Sequence, residues 1–249
     1  MSRYDFSAQR LFLDAPLAAG ASVPLSREQA NYLLNVLRLK EGDRVLVFNG
    51  RDGEFHAALE AVTKKSAALR VGDMMRGHEA SPDIHYLFAP LKHARLDYMV
   101  QKAVEMGACR LTPVLTARTQ IHRVNLERMR ANAIEAAEQC GILALPEIHE
   151  PVGFDALLAG WPSDRLLIFC DEDAPVADPL AALVARRENG ANKLAVLIGP
   201  EGGFDERERK ALMRVPSVLP ISLGPRILRA DTAAVAALAL IEAALGDWR

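Results

Sequence analysis

Over the first 72 residues apolar and polar positions alternate in short runs: Arg10-Leu11-Phe12-Leu13, Arg44-Val45-Leu46-Val47-Phe48 and Glu54-Phe55-His56-Ala57-Ala58-Leu59. A period of two marks half-buried strands, so this region predicts a small β-rich domain. Turn formers in Asn49-Gly50-Arg51-Asp52-Gly53 separate two of the runs and predict a hairpin. From Ser26 to Leu39 the spacing changes: Ala30, Leu33, Leu34 and Leu37 recur at helical intervals behind Ser26, a capping residue type. The polar stretch from Arg76 to Asp83 has no period and predicts a linker, dividing the chain into domains at 1–76 and 82–249.

After the linker, strand-like and helix-like segments take turns. Strands are predicted at Ile84–Ala89, Arg110–Leu115, near Ile148, Leu166–Cys170, Leu194–Ile198 and Val218–Ser222. Helices are predicted at Ala94–Met106, Leu126–Cys140, Pro179–Arg187, Glu206–Met213 and Ala233–Leu245. Such alternation implies an α/β domain with a mostly parallel sheet covered on both faces. The last helix is apolar all round with Glu242 as its sole ionised residue, and it is too short to cross a bilayer, so burial is expected.

Composition narrows the function classes. With 249 residues, 50% hydrophobic and 25% charged, the chain has ordinary globular composition. Arg3, Asp5 and Arg10 interrupt the stretch in which a secretory leader would begin, so a cytoplasmic location without a membrane partner is expected. The 3 cysteines, Cys109, Cys140 and Cys170, form no Cys-x-x-Cys, and the 6 histidines are scattered. Neither a disulfide framework nor a metal site is expected. A net charge of -2 excludes a generally basic nucleic-acid binder, so any RNA must be engaged by local clusters.

Two segments carry the candidate chemistry. In Leu194-Ala195-Val196-Leu197-Ile198-Gly199-Pro200-Glu201-Gly202-Gly203-Phe204-Asp205 an apolar strand enters a glycine-rich turn, and Asp205 with Glu208 predicts a capping pair for the next helix. Glycines there let main-chain amides approach a ligand, although an ordinary tight turn uses them too. In Ser222-Leu223-Gly224-Pro225-Arg226-Ile227-Leu228-Arg229-Ala230-Asp231-Thr232 a second Gly-Pro turn is followed by two arginines and an Asp-Thr cap. A dinucleotide fold fits badly, because the first turn is not G-x-G-x-x-G and no acidic residue ends the next strand. Both turns leave the carboxyl ends of strands, the edge at which open α/β sheets bind ligands.

Together the stretches Ile198–Phe204 and Ser222–Ala233 resemble the signature of RsmE-type methyltransferases of the SPOUT class, which methylate N3 of a uridine in 16S ribosomal RNA. Leu33–Asp43, Gln101–Gly107 and Glu135–Cys140 match the same family, so the resemblance spans nearly the whole chain. It implies a small PUA-like β-barrel domain followed by a SPOUT α/β-knot, a C-terminal trefoil knot on a mostly parallel sheet. The knot rests on the resemblance alone, since knots are otherwise rare. A homodimer and 16S rRNA of the small ribosomal subunit are the implied partners, and S-adenosylmethionine the implied cofactor.

By the same resemblance Phe169, Leu197, Ile198, Gly199, Gly202, Leu223, Gly224, Ile227 and Leu228 line the cofactor pocket, with Cys170 beside Phe169. Glu201 is expected to accept the imide proton and Arg229 to offset charge on the uracil oxygens; that Glu201 only binds loop amides while Arg229 orients substrate stays open. Arg10, Arg38, Lys92, Lys102, Arg118 and Arg226 are the candidates for RNA contact. Two positions depart from the family: Ile142 stands where many relatives carry a basic residue, and Arg118-Thr119 replaces Arg-Ser. Two other classes of reading remain at this point, a noncatalytic RNA-binding or ribosome-assembly dimer and a nucleotide-dependent oxidoreductase.

Overall fold

In the computed structural model, which describes residues 8–78, 80–175, 178–188 and 190–248, the alternating runs of the first third become strands. The chain forms two units, Met1–Ala80 with Ala137–Ala144 and Ser81–Ala136 with Leu145–Arg249.

The first unit holds β1 (Arg10–Phe12), β2 (Ser22–Pro24), α1 (Arg27–Asn31), β3 (Arg44–Phe48), β4 (Glu54–Glu60) and β5 (Ala68–Arg76). Its five-stranded sheet has the order β1-β3-β4-β5-β2. The hairpin between β3 and β4 is present, with Arg44 opposite Ala58 and Phe48 opposite Glu54. Along β4, Phe55, Ala57 and Leu59 enter a core with Leu11, Leu33, Val45, Val47 and Leu69.

Ser26 caps α1 through a capping box with Gln29 at 3.1 and 3.0 Å. The predicted helix is shorter than expected, because after Asn31 the backbone widens into a π-helical turn, Tyr32–Val36, and reverses at Arg38 with φ 58°. The wide turn buries Leu33 completely and leaves Leu34 and Leu37 on the rim of the core. Arg76, expected in a linker, is instead the last residue of β5. Main-chain pairing to Glu54 and a bidentate contact to its carboxylate hold it there, neither of which leaves an apolar period.

The second unit holds β6 (Ile84–Phe88), α2 (His93–Glu105), β7 (Arg110–Leu115), most of α3 (Leu126–Cys140), β8 (Glu147–Ile148), β9 (Val152–Gly153) and α4 (Phe154–Ala159). It continues with β10 (Leu166–Cys170), α5 (Pro179–Glu188), β11 (Leu194–Ile198), α6 (Glu206–Leu212), β12 (Val218–Ile221) and α7 (Ala230–Ala244). The main path of the sheet is β12-β10-β11-β6-β7-β8, β9 pairs with β7, and every pair is parallel.

Register fixes the faces. Leu87, Leu197 and Phe169 align across β6, β11 and β10, and they pack with Phe154, Leu212 and Phe204 beneath α4 and α6. Tyr86, Val196, Ile168 and Leu219 align on the opposite face. There α7 packs on β11, α2 and α5, burying Ala234, Ala237, Leu238 and Ile241. Asp231 and Thr232 do not cap α7 as expected: Arg229 is the N-cap, without a side-chain cap bond, and Asp231 lies in the first turn, where a carboxylate favours the positive helix end.

From β6 the chain proceeds to β7 on one side, whereas from β11 it proceeds to β12 beyond β10 on the other. The carboxyl ends of β6 and β11, adjacent in the sheet, therefore form a topological switch point, and the crevice outside it is the favoured ligand position.

Candidate functional site

The turn after β11 is held by its own residues. The Gly203 N–H donates to Pro200 O at 2.8 Å, with Gly203 at φ 69°. A Cβ on Gly199 would lie 2.6 Å from the Phe204 ring, so the missing side chain is required by packing whether or not a ligand approaches. Phe204 in turn meets Phe169 edge-on at 5.2 Å. Asp205 caps α6, accepting from Glu208 N at 2.7 Å while the Glu208 carboxylate accepts from Asp205 N at 3.1 Å. That carboxylate also accepts from Ala117 N at 2.7 Å, tying the turn to the segment after β7. From this segment Arg118 donates to Gly202 O at 2.5 Å.

Two cavities open along this edge. A cavity of about 740 Å³ is lined by Glu172, Ser222, Leu223, Gly224, Pro225 and, from α7, Ala236, Ala239 and Leu240. Its size suits a nucleoside-sized ligand. Gly224, at φ 104°, would offer main-chain groups beside an apolar wall that suits a purine ring, and the Glu172 carboxylate suits hydroxyls or a cation. The second cavity, about 470 Å³, is lined by Pro90, Leu91, Lys92, Arg95, Arg118, Gln120, Pro200 and Glu201. These residues follow β6, β7 and β11, so this cavity stands at the switch point.

The expected cofactor residues fall into two groups. Leu223 and Gly224 line the larger cavity. Phe169 and Leu197 are 1% and 0% exposed, with their side chains in the opposite apolar layer, which leaves only main-chain atoms for a ligand. Ile198 is also buried, Leu228 is half-buried and Ile227 is 88% exposed. Burial pushes the Cys170 thiol up to about 12, so it stays neutral and unsuited to nucleophilic attack.

Glu201 is in the wall of the smaller cavity, but among the described residues no ion pair joins it to Arg229. Its ion pair is with Arg95, whose Nη1 donates to Oε1. Arg95 was not foreseen. The signal available was two cations, Lys92 and Arg95, at the start of α2 with no acid in its first turn, where the helix dipole disfavours positive charge.

Of the RNA candidates, Arg118 and Lys92 line the smaller cavity, and Arg38 and Arg226 are exposed. Lys102 donates to both Glu105 oxygens at 2.7 Å and lies 5.5 Å from the centre of the Tyr98 ring, so much of its charge is compensated. Arg10 is a correction. It is 4% exposed, donates to Glu54 at 2.7 Å and to the carbonyls of Ala137, Glu138 and Ile142, and covers the Phe48 ring, so four of its five N–H groups are engaged inside the first unit and the side chain is withdrawn from a phosphate at the surface. Burial would raise the Glu54 carboxyl, but hydrogen bonds from Arg76 and Arg10 outweigh it and hold the group below its usual range. Ile142 contributes a main-chain carbonyl to this network, a contact any residue type supplies.

At the opposite, amino-terminal edge of the sheet, Asp83, His85 and Cys109 bring three potential metal donors within 4.8 Å of one another. Asp83 is already engaged there by Arg165 at 2.8 and 2.9 Å, and a guanidinium so placed opposes a second cation.

Residues 78–242 match a family model described as an RNA methyltransferase domain, and residues 25–72 one described as an RNA methyltransferase PUA domain. A ribosomal RNA small subunit methyltransferase E of Rickettsia conorii is 28% identical over 93% of this chain and 94% of its own length. Its namesake in Synechocystis sp. is 31% identical over 96% and 78%. A methyltransferase of Legionella pneumophila, solved in complex with the bound cofactor SAM, has a TM-score of 0.81 at 31% identity, covering 96% of this chain and 99% of that one. The small subunit methyltransferase E of Neisseria gonorrhoeae, solved bound to S-adenosyl methionine, gives 0.82 at 26% identity over 97% and 100%.

Proposed function

The chain belongs to the ribosomal RNA small subunit methyltransferase E family, and from that membership and the geometry of its site we propose that it transfers a methyl group from S-adenosylmethionine to N3 of a uridine in 16S ribosomal RNA. The observation that carries this reading is the pair of cavities on one sheet edge, with the turn after β11 placing Glu201 in the wall of the smaller. The larger cavity takes the cofactor, a group with which the relatives from Legionella pneumophila and Neisseria gonorrhoeae were solved.

Bound there, the cofactor supplies an electrophilic methyl group, and alignment and proton handling fall to the protein. Main-chain groups of Leu223 and Gly224 bind it, and the apolar side chains of α7 exclude water. In the smaller cavity Pro90, Leu91 and Pro200 face the uracil ring while Lys92 and Arg118 meet RNA phosphate. Glu201 accepts the imide proton, and Arg229 offsets the negative charge that develops on the ring oxygens. A homodimer acting in the cytoplasm, knotted through the second unit, completes the proposal; the large apolar side chain of Ile227, 88% exposed, is one that a partner subunit would cover.

Calorimetric titration of the purified protein with S-adenosylmethionine, and separately with NAD, tests the cofactor assignment. Saturable heat is expected with the methyl donor alone. Heat from the dinucleotide instead would return the chain to the oxidoreductase class.

A further inference from the structure

Glu201 stands on an exposed turn, and by itself a carboxylate there samples several rotamers. Catalysis by a base requires that it be held within hydrogen-bond reach of the proton it removes. The structure shows what could hold it. Arg95 Nη1 donates to Oε1, and the second oxygen has no hydrogen bond among the described residues. Both side chains are partly exposed, at 41% and 49%, and both line the smaller cavity.

The ion pair has little value for stability. Exposed pairs contribute little, and a cation in the first turn of α2 faces the positive end of the helix dipole. An arginine in that place is better explained by what it meets. Its main chain is fixed by α2, a helix of 13 residues, and Arg95 N–H donates to Lys92 O at 3.0 Å. Meanwhile Arg118 holds the carbonyl of the neighbouring Gly202 at 2.5 Å. The turn is thus fixed through its main chain by one arginine and through its reactive side chain by the other.

We infer that Arg95 is a positioning residue, holding one oxygen of Glu201 so that the other points into the smaller cavity toward the imide proton. The inference rests on the assignment of Glu201 as the base. Arg95 acts through Glu201, so its contribution vanishes when Glu201 can no longer accept a proton.

A double-mutant cycle on the full-length protein tests this, with small ribosomal subunits from a strain lacking the enzyme as substrate and labelled S-adenosylmethionine as donor. Arg95→Ala should lower kcat about 10- to 100-fold, the scale of a misplaced catalytic group, while KM for subunits and the affinity for the donor stay near wild type. Arg95→Lys should recover part of the loss. In a Glu201→Gln background, Arg95→Ala should have no further effect on kcat. Undiminished multiplication of the two losses, or a rise in KM with kcat intact, would overturn the inference and make Arg95 an RNA contact. If Glu201→Gln alone keeps full kcat, the assignment of the base fails and the inference falls with it. If that variant is impaired while Arg95→Ala turns over normally, only the inference fails.

Discussion

At the scale of single residues, the buried charges behave differently from what their types suggest. Arg10 reads in sequence as a surface cation, because a residue in an alternating run carries no sign of which polar side chain will be neutralised. The signal lay in Glu54, an acid at the start of a strand that turns out fully buried. Removing one partner of a buried pair leaves the other charge uncompensated, so Arg10→Ala is expected to cost about 3–5 kcal/mol in urea unfolding. A loss of RNA affinity without loss of stability would mean that Arg10 is a phosphate contact after all.

Glu242 carries a second consequence. It is fully buried on α7, where Oε2 accepts from Asp247 N at 2.9 Å and Oε1 has no hydrogen-bond partner. Burial pushes its carboxyl up from 4.5 to about 7. The folded chain thus keeps a proton that the unfolded chain releases above pH 4.5, so the favourable contribution is complete at lower pH and is lost as pH rises toward and past 7. His85, held down to about 4 chiefly by burial, has the opposite dependence below its ordinary 6.5, so the readout is a difference between variants. The melting temperature of Glu242→Gln relative to wild type should rise between pH 5 and pH 8. A constant offset across that range would refute the titration of Glu242.

Among elements, local chemistry was legible and long-range pairing was not. The Ser26 cap of α1, the Asp205–Glu208 capping pair of α6 and the β3–β4 hairpin are written in adjacent residues, and they form as the sequence predicts, while Gln29 completes a box on α1 that was not expected. Strand β2 has three residues and β9 two, too few for any period to emerge, and the six-residue α4 is likewise short. The π-helical turn, in which Leu33 is completely buried, leaves no period that sets it apart from an ordinary helix. Glu208 joins both levels, since it completes the cap of α6 and also binds Ala117 N from the segment after β7. Glu208→Ala should therefore cost about 2–3 kcal/mol, more than the roughly 1 kcal/mol expected for Asp205→Ala. Equal losses in denaturant melts would show that the tether to Ala117 contributes nothing.

For the molecule as a whole, the sequence indicates a parallel sheet but leaves its strand order open. Buried on both faces, β10 and β11 are plain apolar runs and β6 is one interrupted only by His85, and nothing in such a run names its neighbours. The placement of β11 beside β6 creates the switch point and brings Pro90, Arg118 and Glu201 around one cavity from three separate parts of the chain. The Gly-Pro turns were legible as ligand loops, whereas the pairing of Arg95 with Glu201 requires α2 to be set beside the turn after β11. No helix among the described residues is long and apolar enough to cross a membrane.

The most direct test is mass spectrometry of 16S rRNA from small subunits of a strain lacking the enzyme, after incubation with the purified protein and S-adenosylmethionine. One added methyl group on N3 of a single uridine is expected, with its formation slowed about 10²- to 10⁴-fold by Glu201→Gln. Unmodified uridine after exhaustive incubation with donor-saturated wild-type protein, or a methyl group on another base, would contradict the account.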